Sequence, residues 1–553
     1  MTTNGKNSSH SIRYIGFTIG PILKTLQNAR HTRELWAASY CFSYISREVI
    51  RAYKNACPKA QMIVPSFEGS MEGLLKGKPQ LQEDQVDVRP PDLPVEGVGL
   101  VPDRFIAIAQ DEKDFEALKT IVEEVMHYFG MSVAATIKSE QASRVSAYVK
   151  DYFQLYLIER ILEKEENPIE SIMPYLDYVE LQRQFPAYST LDLEHFFDRV
   201  TESFLVKDAW PNESKGWHSF LSIIEIACIE FKEYEAYQLI SSRRQRNYSS
   251  SAKSKYEGLN NPQEDILEEE ERLIQALTKG ASEGKNNFKN AHKYVAIVQA
   301  DGDNVGSILK SLSSIEFKVF SKKLGEFALK AVDLIQNAGG VTVYAGGDDL
   351  LFFAPVLNRE MHIFKLLQQL DNCFRIQFQD YQQSPKPPSL SFGLSITYYK
   401  FPLYEALEYC QSGLFSKAKQ VDGKNAISLH LQKHSGSYFG GVFRLSDASY
   451  AQFSDLLENS LTQPEKVLSS IIYKIRANEA LFQLIGRDGV AVKNFIENSF
   501  DEQDHLSYKS YLADVANLIP TVFLESKNTE EAVNKIYALL RNIQFLTSTE
   551  IKD

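Results

Sequence analysis

AIVQADGDNVG (Ala296–Gly306) and VTVYAGGDDLLFF (Val341–Phe353) each open with an apolar, strand-forming run and close on glycine and acidic residues. Tyr294–Ala300 reads as one strand, and Val341–Ala345 and Leu350–Ala354 as two more, split by Gly346-Gly347-Asp348-Asp349. A tight hairpin needs residues tolerant of positive φ at its tip, and glycine supplies them. Between the acidic stretches, Ser313–Gln336 carries Phe317, Phe320, Leu324, Phe327, Leu334 and Ile335 at helical spacing. The order strand, helix, strand, turn, strand predicts an α/β sandwich on a mixed sheet. If the strands are neighbours, Asp301 stands beside the hairpin tip that carries Asp348 and Asp349.

Three carboxylates converging from two backbone segments repel one another, and burial makes the repulsion worse, so they call for a cation. Hard oxygen ligands suit Mg²⁺ or Mn²⁺ and not zinc. Two such ions, roughly 3.5–4 Å apart, activate an attacking hydroxyl and stabilise a leaving pyrophosphate. Gly346 and Gly347 have no side chains, so a triphosphate can approach the backbone there, with Gly302 and Gly306 serving the same end at the first cluster. Taken singly, DG and GGDD are ordinary turn sequences. Their placement at two strand ends, one helix apart, is what points to catalysis and not to two unrelated turns.

Bulk properties set the frame. At 553 residues the chain exceeds one ordinary core, and about 100–200 residues per domain predicts three to five units. Hydrophobic residues at 44% and charged residues at 24% describe a folded globular chain. No apolar run reaches the roughly 20 residues of a membrane span. MTTNGKNSSHSIRYIG does not read as a signal peptide, so a cytoplasmic location and no membrane partner are expected. Cys41, Cys57, Cys228, Cys373 and Cys410 form no CxxC pair, which argues against a zinc ribbon or a disulfide framework. A formal net charge of −12 excludes nucleic-acid binding by the whole surface, leaving a local basic groove or RNA held by partners.

Four regions are expected. Residues 1–115 open with the apolar Tyr14–Ile19, then Gly20-Pro21 and a helical stretch to about Tyr53. They close on the strand-like Phe105–Ala109, with loops over Pro65–Pro102. Residues 116–285 read as helical, with Tyr152, Leu155, Tyr156, Ile158 and Leu162 on one side of a helix over Val149–Lys164. The tail of that region, 241–285, sets SSRRQR (Ser241–Arg246) against EDILEEEER (Glu264–Arg272) and reads as a mobile charged linker. Residues 286–435 hold the acidic hairpin, and 436–553 read as helical.

A resemblance sharpens this frame. AGGDDLL resembles the GGDEF-type signature of diguanylate cyclases and, more closely, the GGDD of the large subunit of type III CRISPR effector complexes. SFGLSITYYKFPLYEALEYCQSGLFSKAKQVDGKNAISL (Ser391–Leu429) follows the strand, helix and A-K…G-K-N order of those cyclase-like palms. YIGFTIGPILKTLQNARHTRELWAASYCFSYI (Tyr14–Ile45) is similar to the opening of the Cmr-type (III-B) large subunit. VPDRFIAIA (Val101–Ala109) is similar to its PNRF segment, with Asp103 where asparagine is usual. Alone, Arg30, Arg33 and Trp36 would mark only one side of a surface helix, and Lys419 only a helix-surface lysine.

The resemblance implies an α+β multidomain chain with two ferredoxin-like palm (GGDEF/cyclase-like) domains, a helical insert and a helical C-terminal domain. The first palm, lacking a GGDD, would bind nucleotide without catalysing. Asp301, Asp348 and Asp349 would be catalytic and hold metal with the Gly302 carbonyl. Asn304, Ser307, Gly346, Gly347 and Lys419 would contact nucleotide, with Ser39 and Tyr40 near a partner ATP. It also implies Mg²⁺ or Mn²⁺ as cofactor, ATP as substrate, and other Cmr-complex subunits, CRISPR guide RNA and target RNA as partners. Many relatives begin with an HD nuclease, and this chain contains no His-Asp doublet, so no DNase activity is expected. The expected product is cyclic oligoadenylate. The alternatives are joining AMP to S-adenosylmethionine, a stand-alone diguanylate cyclase, and an inactive scaffold.

Overall fold

The computed structural model describes residues 11–27, 29–76, 95–137, 142–164, 166–181, 204–209, 221–241, 262–359, 361–464, 467–500 and 506–548. Two sheets organise it. The first is antiparallel and runs β2 (Gln61–Val64), β3 (Arg104–Ala109), β1 (Ser11–Gly20), β4 (Gln154–Glu163). The second has six strands in the order β12 (Tyr438–Arg444), β11 (Ala426–Gln432), β10 (Ser389–Tyr398), β5 (Tyr294–Asp303), β7 (Asp349–Pro355), β6 (Val341–Gly346). Only the β10–β11 pair is parallel. Leu357–Asn358 and Met361–His362 form a small separate pair, β8–β9.

The second sheet is as the acidic stretches predict: β5 lies directly beside β7, and helix Ser314–Asn337 connects β5 to β6. Its two faces are covered differently. Ala296, Val298, Ala300, Phe352, Leu390, Phe392 and Leu394 join the main core, on the side of helices Ser314–Asn337 and Ile363–Gln377. Val295, Ile297, Leu351 and Phe353 pack on the other side, under helix Leu403–Ser416.

Three expectations are corrected. Val149–Lys164 is not one helix: Ala142–Tyr152 is helical, but Gln154–Glu163 is β4 and pairs with β1 along ten residues, Ser11↔Glu163 to Gly20↔Gln154. Helical spacing in LYLIERIL is overridden by a strand partner 140 residues away, which local periodicity cannot register. The first α/β half therefore runs past residue 115. Likewise β12 extends the second sheet past residue 435, before the helices from Ala448–Thr462 to Thr529–Thr547. Within the expected linker, Pro262–Ser282 is a helix that buries Leu273, Ile274 and Leu277; residues 242–261 lie outside the described residues.

Helix Thr32–Ala56 is not a surface helix. From Arg33 to Tyr53 every residue is buried, so its charges are paired internally. Arg47 Nη2 donates to both carboxylate oxygens of Asp208, at 2.8 and 2.7 Å, and Arg51 Nη1 donates to Glu48 at 2.6 Å. Asp208 comes from the short helix Phe204–Ala209, whose Ala209 carbonyl accepts from Gly97 N at 2.9 Å. Gly97 in turn accepts from Trp36 Nε1 at 2.7 Å. Two residues on, Gly99 bridges to Tyr344 of β6 in parallel register, and its carbonyl accepts from Ala345 N at 3.0 Å. The first half thus adds a short strand-like edge to the sheet that carries the acidic hairpin.

Gly393 on β10 lies so close under helix Leu403–Ser416 that a β-carbon would overlap the Cys410 carbonyl. Gly393→Ala is expected to lift that helix off the sheet and cost roughly 1–3 kcal/mol or more, seen as a lowered thermal midpoint. An unchanged midpoint would show that the helix is free to shift.

Candidate active site

The hairpin turn is Gly347-Asp348, closed by the Gly346↔Asp349 pair. Gly347 has φ +80, the positive value that a two-residue turn of this kind needs at its first central position. β5 and β7 pair up to Ala300↔Leu350, so Asp301 and Asp349 are the next residues on adjacent strands. The strand neighbourhood on which the metal reading depends is therefore present.

Two glycines earlier read as openings for a triphosphate have another role. A β-carbon on Gly302 would overlap the Asp348 carboxylate, and one on Gly346 would overlap the Tyr344 hydroxyl. Each glycine makes room for a side chain of the site itself. Asp348 lies over Gly302 and takes a hydrogen bond from its backbone N–H. Gly306 has nothing within 4 Å of a would-be β-carbon and remains open, with exposed Ser307 beside it. Asn304 adopts φ 64 before helix Val305–Ser311 and donates from Nδ2 to the Pro387 carbonyl at 3.0 Å.

Lys419 is not a helix-surface residue. It sits in the short turn Ala418–Gln420, largely buried, and donates from Nζ to the Gly302 carbonyl at 2.6 Å. The same ammonium contacts the Asp301 carboxylate and stands 3.1 Å from Asp303 Oδ1. Burial, then the charge of Lys424, pushes Lys419 down to about 7.

Asp303 was visible only as the second acid of DGD, and the structure shows it fully buried. Its Oδ2 accepts from Ser389 Oγ at 2.9 Å, Ser391 Oγ at 2.8 Å and Asn425 N at 2.9 Å. Oδ1 faces Lys419 and has no hydrogen-bond partner among the described residues. Burial raises its carboxyl, and the Asn425 N–H and the two serine hydroxyls oppose the rise. Asp303 ties β5, β10 and the Gly423-Lys424-Asn425 turn into one unit, where Lys424 and Asn425 both have positive φ.

Asp348 is pushed up to about 6, chiefly by burial, with the charge of Asp303 adding to it. Asp349 keeps an exposed surface, and the protein packed around it, followed by the charges of Asp348 and Asp103, holds its carboxyl well above the usual carboxylate range. Asp103 comes from the first half, at the start of β3, where its carbonyl accepts from Ile19 N at 3.2 Å. It is the carboxylate that sequence reading passed over: the substitution was noted, but nothing placed it opposite a hairpin 245 residues later. Arg104 beside it is drawn to Glu180 by two hydrogen bonds, at 3.0 and 2.6 Å, and to Asp177 at 2.6 Å.

Ser39 and Tyr40 do not join this group. Both are buried in helix Thr32–Ala56, and the Tyr40 hydroxyl donates to Asp208 at 2.7 Å, which commits it to the core.

As for an ion, no three acidic, histidine or cysteine side chains among the described residues converge to cage one alone. The donors present still fit Mg²⁺ or Mn²⁺, because an ammonium already stands against Asp301 and the Gly302 carbonyl as a positive charge would. Magnesium commonly takes one or two carboxylates and completes its shell with water and substrate phosphates.

Residues 294–428 match the family model described as Cas10/Cmr2, second palm domain. Residues 14–146 match that of the CRISPR-associated protein Cmr2, N-terminal. Two separate parts of the chain are thus matched by models of the Cas10/Cmr2 family. The Cmr2 subunit of the Pyrococcus furiosus CRISPR Cmr system is 25% identical over 335 residues, covering 55% of this chain and 37% of that protein. The match thus spans little more than a third of the curated relative. Among solved structures, type III-B Cmr-β bound to cognate target RNA aligns with TM-score 0.52 and 12% identity, over 92% of this chain and 79% of that one. The Csm1–Csm4 cassette in complex with AMPPNP aligns with TM-score 0.50 and 11% identity, over 98% and 70%. At these identities the likeness is one of fold. No helix among the described residues is long and apolar enough to cross a membrane.

Burial pushes Asp103 up to about 6, from an ordinary value of 3.8; Arg104 opposes the rise and Glu180 adds to it. A carboxyl raised in the folded state binds its proton more tightly there, so stability falls as pH rises from about 4 through 6. Asp103→Asn is therefore expected to stabilise the protein by about 1–2 kcal/mol at pH 7–8, allowing for partial exposure. The gain should vanish below pH 4 in urea unfolding, and a pH-independent difference would refute the assignment.

Proposed function

We propose that this Cas10/Cmr2 chain is the nucleotidyltransferase subunit of a type III-B (Cmr) antiviral complex, active when guide and target RNA are bound. The observation that carries the reading is the placement of Asp301 and Asp349 on adjacent strand ends, with Asp348 folded over Gly302 between them. Divalent Mg²⁺ or Mn²⁺, when bound, would lower the charge of an ATP triphosphate and stabilise the departing pyrophosphate. Asp301, Asp349 and the Gly302 carbonyl would hold it, with Asp348 as a further ligand or as support for the Gly302 backbone. Lys419, freed from Asp301, reaches the phosphates, and Asn304 and Ser307 line the open side at Gly306. A ribose hydroxyl of the acceptor attacks the α-phosphorus. The new O–P bond forms as the bond to pyrophosphate breaks, and the hydroxyl proton is lost. With ATP as acceptor the product is cyclic oligoadenylate. Other Cmr subunits and RNA as partners agree with a fold shared with a Cmr-β complex bound to target RNA.

One observation favours a second acceptor at the same site. The first half presents Asp103 to the hairpin, while Glu180 beside Asp103 is already paired with Arg104. A second triphosphate would bring negative charge against that wall, whereas the sulfonium and ammonium of S-adenosylmethionine are positive and would be drawn to it.

Mass spectrometry of products from the assembled, target-activated complex, given ATP with and without S-adenosylmethionine, separates the two acceptors. Asp349→Ala and Asp348→Ala are expected to abolish either product. Unchanged product in those variants would overturn the metal-site reading, and efficient c-di-GMP from GTP alone would replace it with a diguanylate cyclase.

A further inference from the structure

Tyr344 is absorbed by none of the roles above, yet it stands in the middle of the site. The β6–β7 register slips between Thr342 and Tyr344, a bulge of the kind that re-aims a side chain beside an active site. Past the slip, Tyr344 and Gly346 lie on the same face of β6, and the ring runs along the strand until its hydroxyl reaches Gly346. Any side chain at position 346 would expel it. From the other side Gly99 backs the ring, with a would-be β-carbon 3.5 Å from Tyr344 Cδ2, and the same Gly99 bridges to Tyr344 through the backbone. The ring is thus fixed from both halves of the molecule. The acidic groups around it are Asp103, Asp348 and Asp349. Tyr344 is half-buried, and its hydroxyl has no hydrogen-bond partner among the described residues.

We propose that Tyr344 is a substrate-contacting residue whose hydroxyl, pre-positioned beside Gly346, donates a hydrogen bond to a phosphate oxygen of the bound nucleoside triphosphate. The inference rests on the nucleotidyltransferase reading of the site and assigns the site a donor. A neutral O–H suits this place physically. The neighbouring carboxylates can only accept hydrogen bonds when ionised, and a phosphate oxygen arriving among them lacks a donor from the hairpin side. A lysine there would be drawn into the carboxylates, as Lys419 is on the opposite side of Gly302. A phenol held by its ring keeps its proton available and pays little conformational entropy when the ligand arrives.

Tyr344→Phe removes the hydroxyl and keeps the ring. In the full chain with Mg²⁺, calorimetric binding of a non-hydrolysable ATP analogue is expected to weaken about tenfold, as for the loss of one hydrogen bond to a charged group. The thermal midpoint should not move, and in the assembled complex KM for ATP should rise with little change in kcat. Unchanged analogue affinity and KM in this variant, with the unmodified complex active, would overturn the role of Tyr344 and leave the nucleotidyltransferase reading standing. An unmodified complex that binds no analogue and makes no product would overturn that reading itself. A Tyr344→Phe protein with a lowered midpoint and normal KM would make the hydroxyl structural, which also refutes the proposal.

Discussion

Negative charge concentrated at the ends of two adjacent strands is the constraint around which the second half is built. Asp301 and Asp349 are neighbours by strand register, Asp303 is buried two residues from Asp301, and Asp348 is folded onto the backbone between them. Such a group is costly unless each charge is met, because like charges at short range in a poorly solvated place repel strongly. Three devices meet it. Lys419 places its ammonium against Asp301 and Asp303, backbone N–H groups are donated to Asp348, and Ser389, Ser391 and Asn425 close around Asp303. Even so, Asp348 and Asp349 remain raised, so the site retains an unmet demand for positive charge on the cleft side.

That demand is shared between the two halves of the molecule. Asp103 adds its charge from the first half, and Gly99 pairs with the strand that leads into the hairpin. The Gly97–Val101 segment is itself held by Trp36, by Ser43 through Val101 N at 2.8 Å, and by the Ala209 carbonyl. Asp208, next to Ala209, is locked to Arg47 and Tyr40. A run of backbone and side-chain bonds therefore connects the helix Phe204–Ala209 to Tyr344, two positions before Gly346.

Much of this was legible in the sequence, for reasons that can be named. Strand composition and turn chemistry are local, so β5, β6, β7, the Gly347 turn and helix Ser314–Asn337 all lie where their residues indicate. The placement of Asp301 beside the hairpin followed from one strand–helix–strand unit. What was not legible depends on distant partners. β4 reads as helix until β1 lies beside it, and helix Thr32–Ala56 reads as a surface helix until Asp208 pairs with its buried Arg47 and Glu48 with Arg51. Lys419 reads as a surface lysine until the strands bring Asp301 and Asp303 to it. Asp103 stood out only as a departure from a pattern, with no sequence signal of where it points.

The glycines show the same limit at finer scale. GGDD and DGD invite the reading that missing side chains admit a substrate, yet Gly346 admits Tyr344 and Gly302 admits Asp348. A substitution at either position would disturb the site by displacing one of its own groups before any ligand arrived. Gly347 differs, since its positive φ is what the turn requires, with only Leu324 within 4 Å of a would-be β-carbon. Of the glycines in the two acidic stretches, Gly306 alone faces open space without a conformational duty, beside Ser307 and the Asn304 turn. Approach of a phosphate to bare backbone is therefore least obstructed on the Gly306 side, while the hairpin side presents the ring-backed hydroxyl of Tyr344. Under the proposed function a nucleotide would be held between a strand-end turn and a hairpin, each filled by its own residues, and that filling fixes the carboxylates' positions ahead of binding.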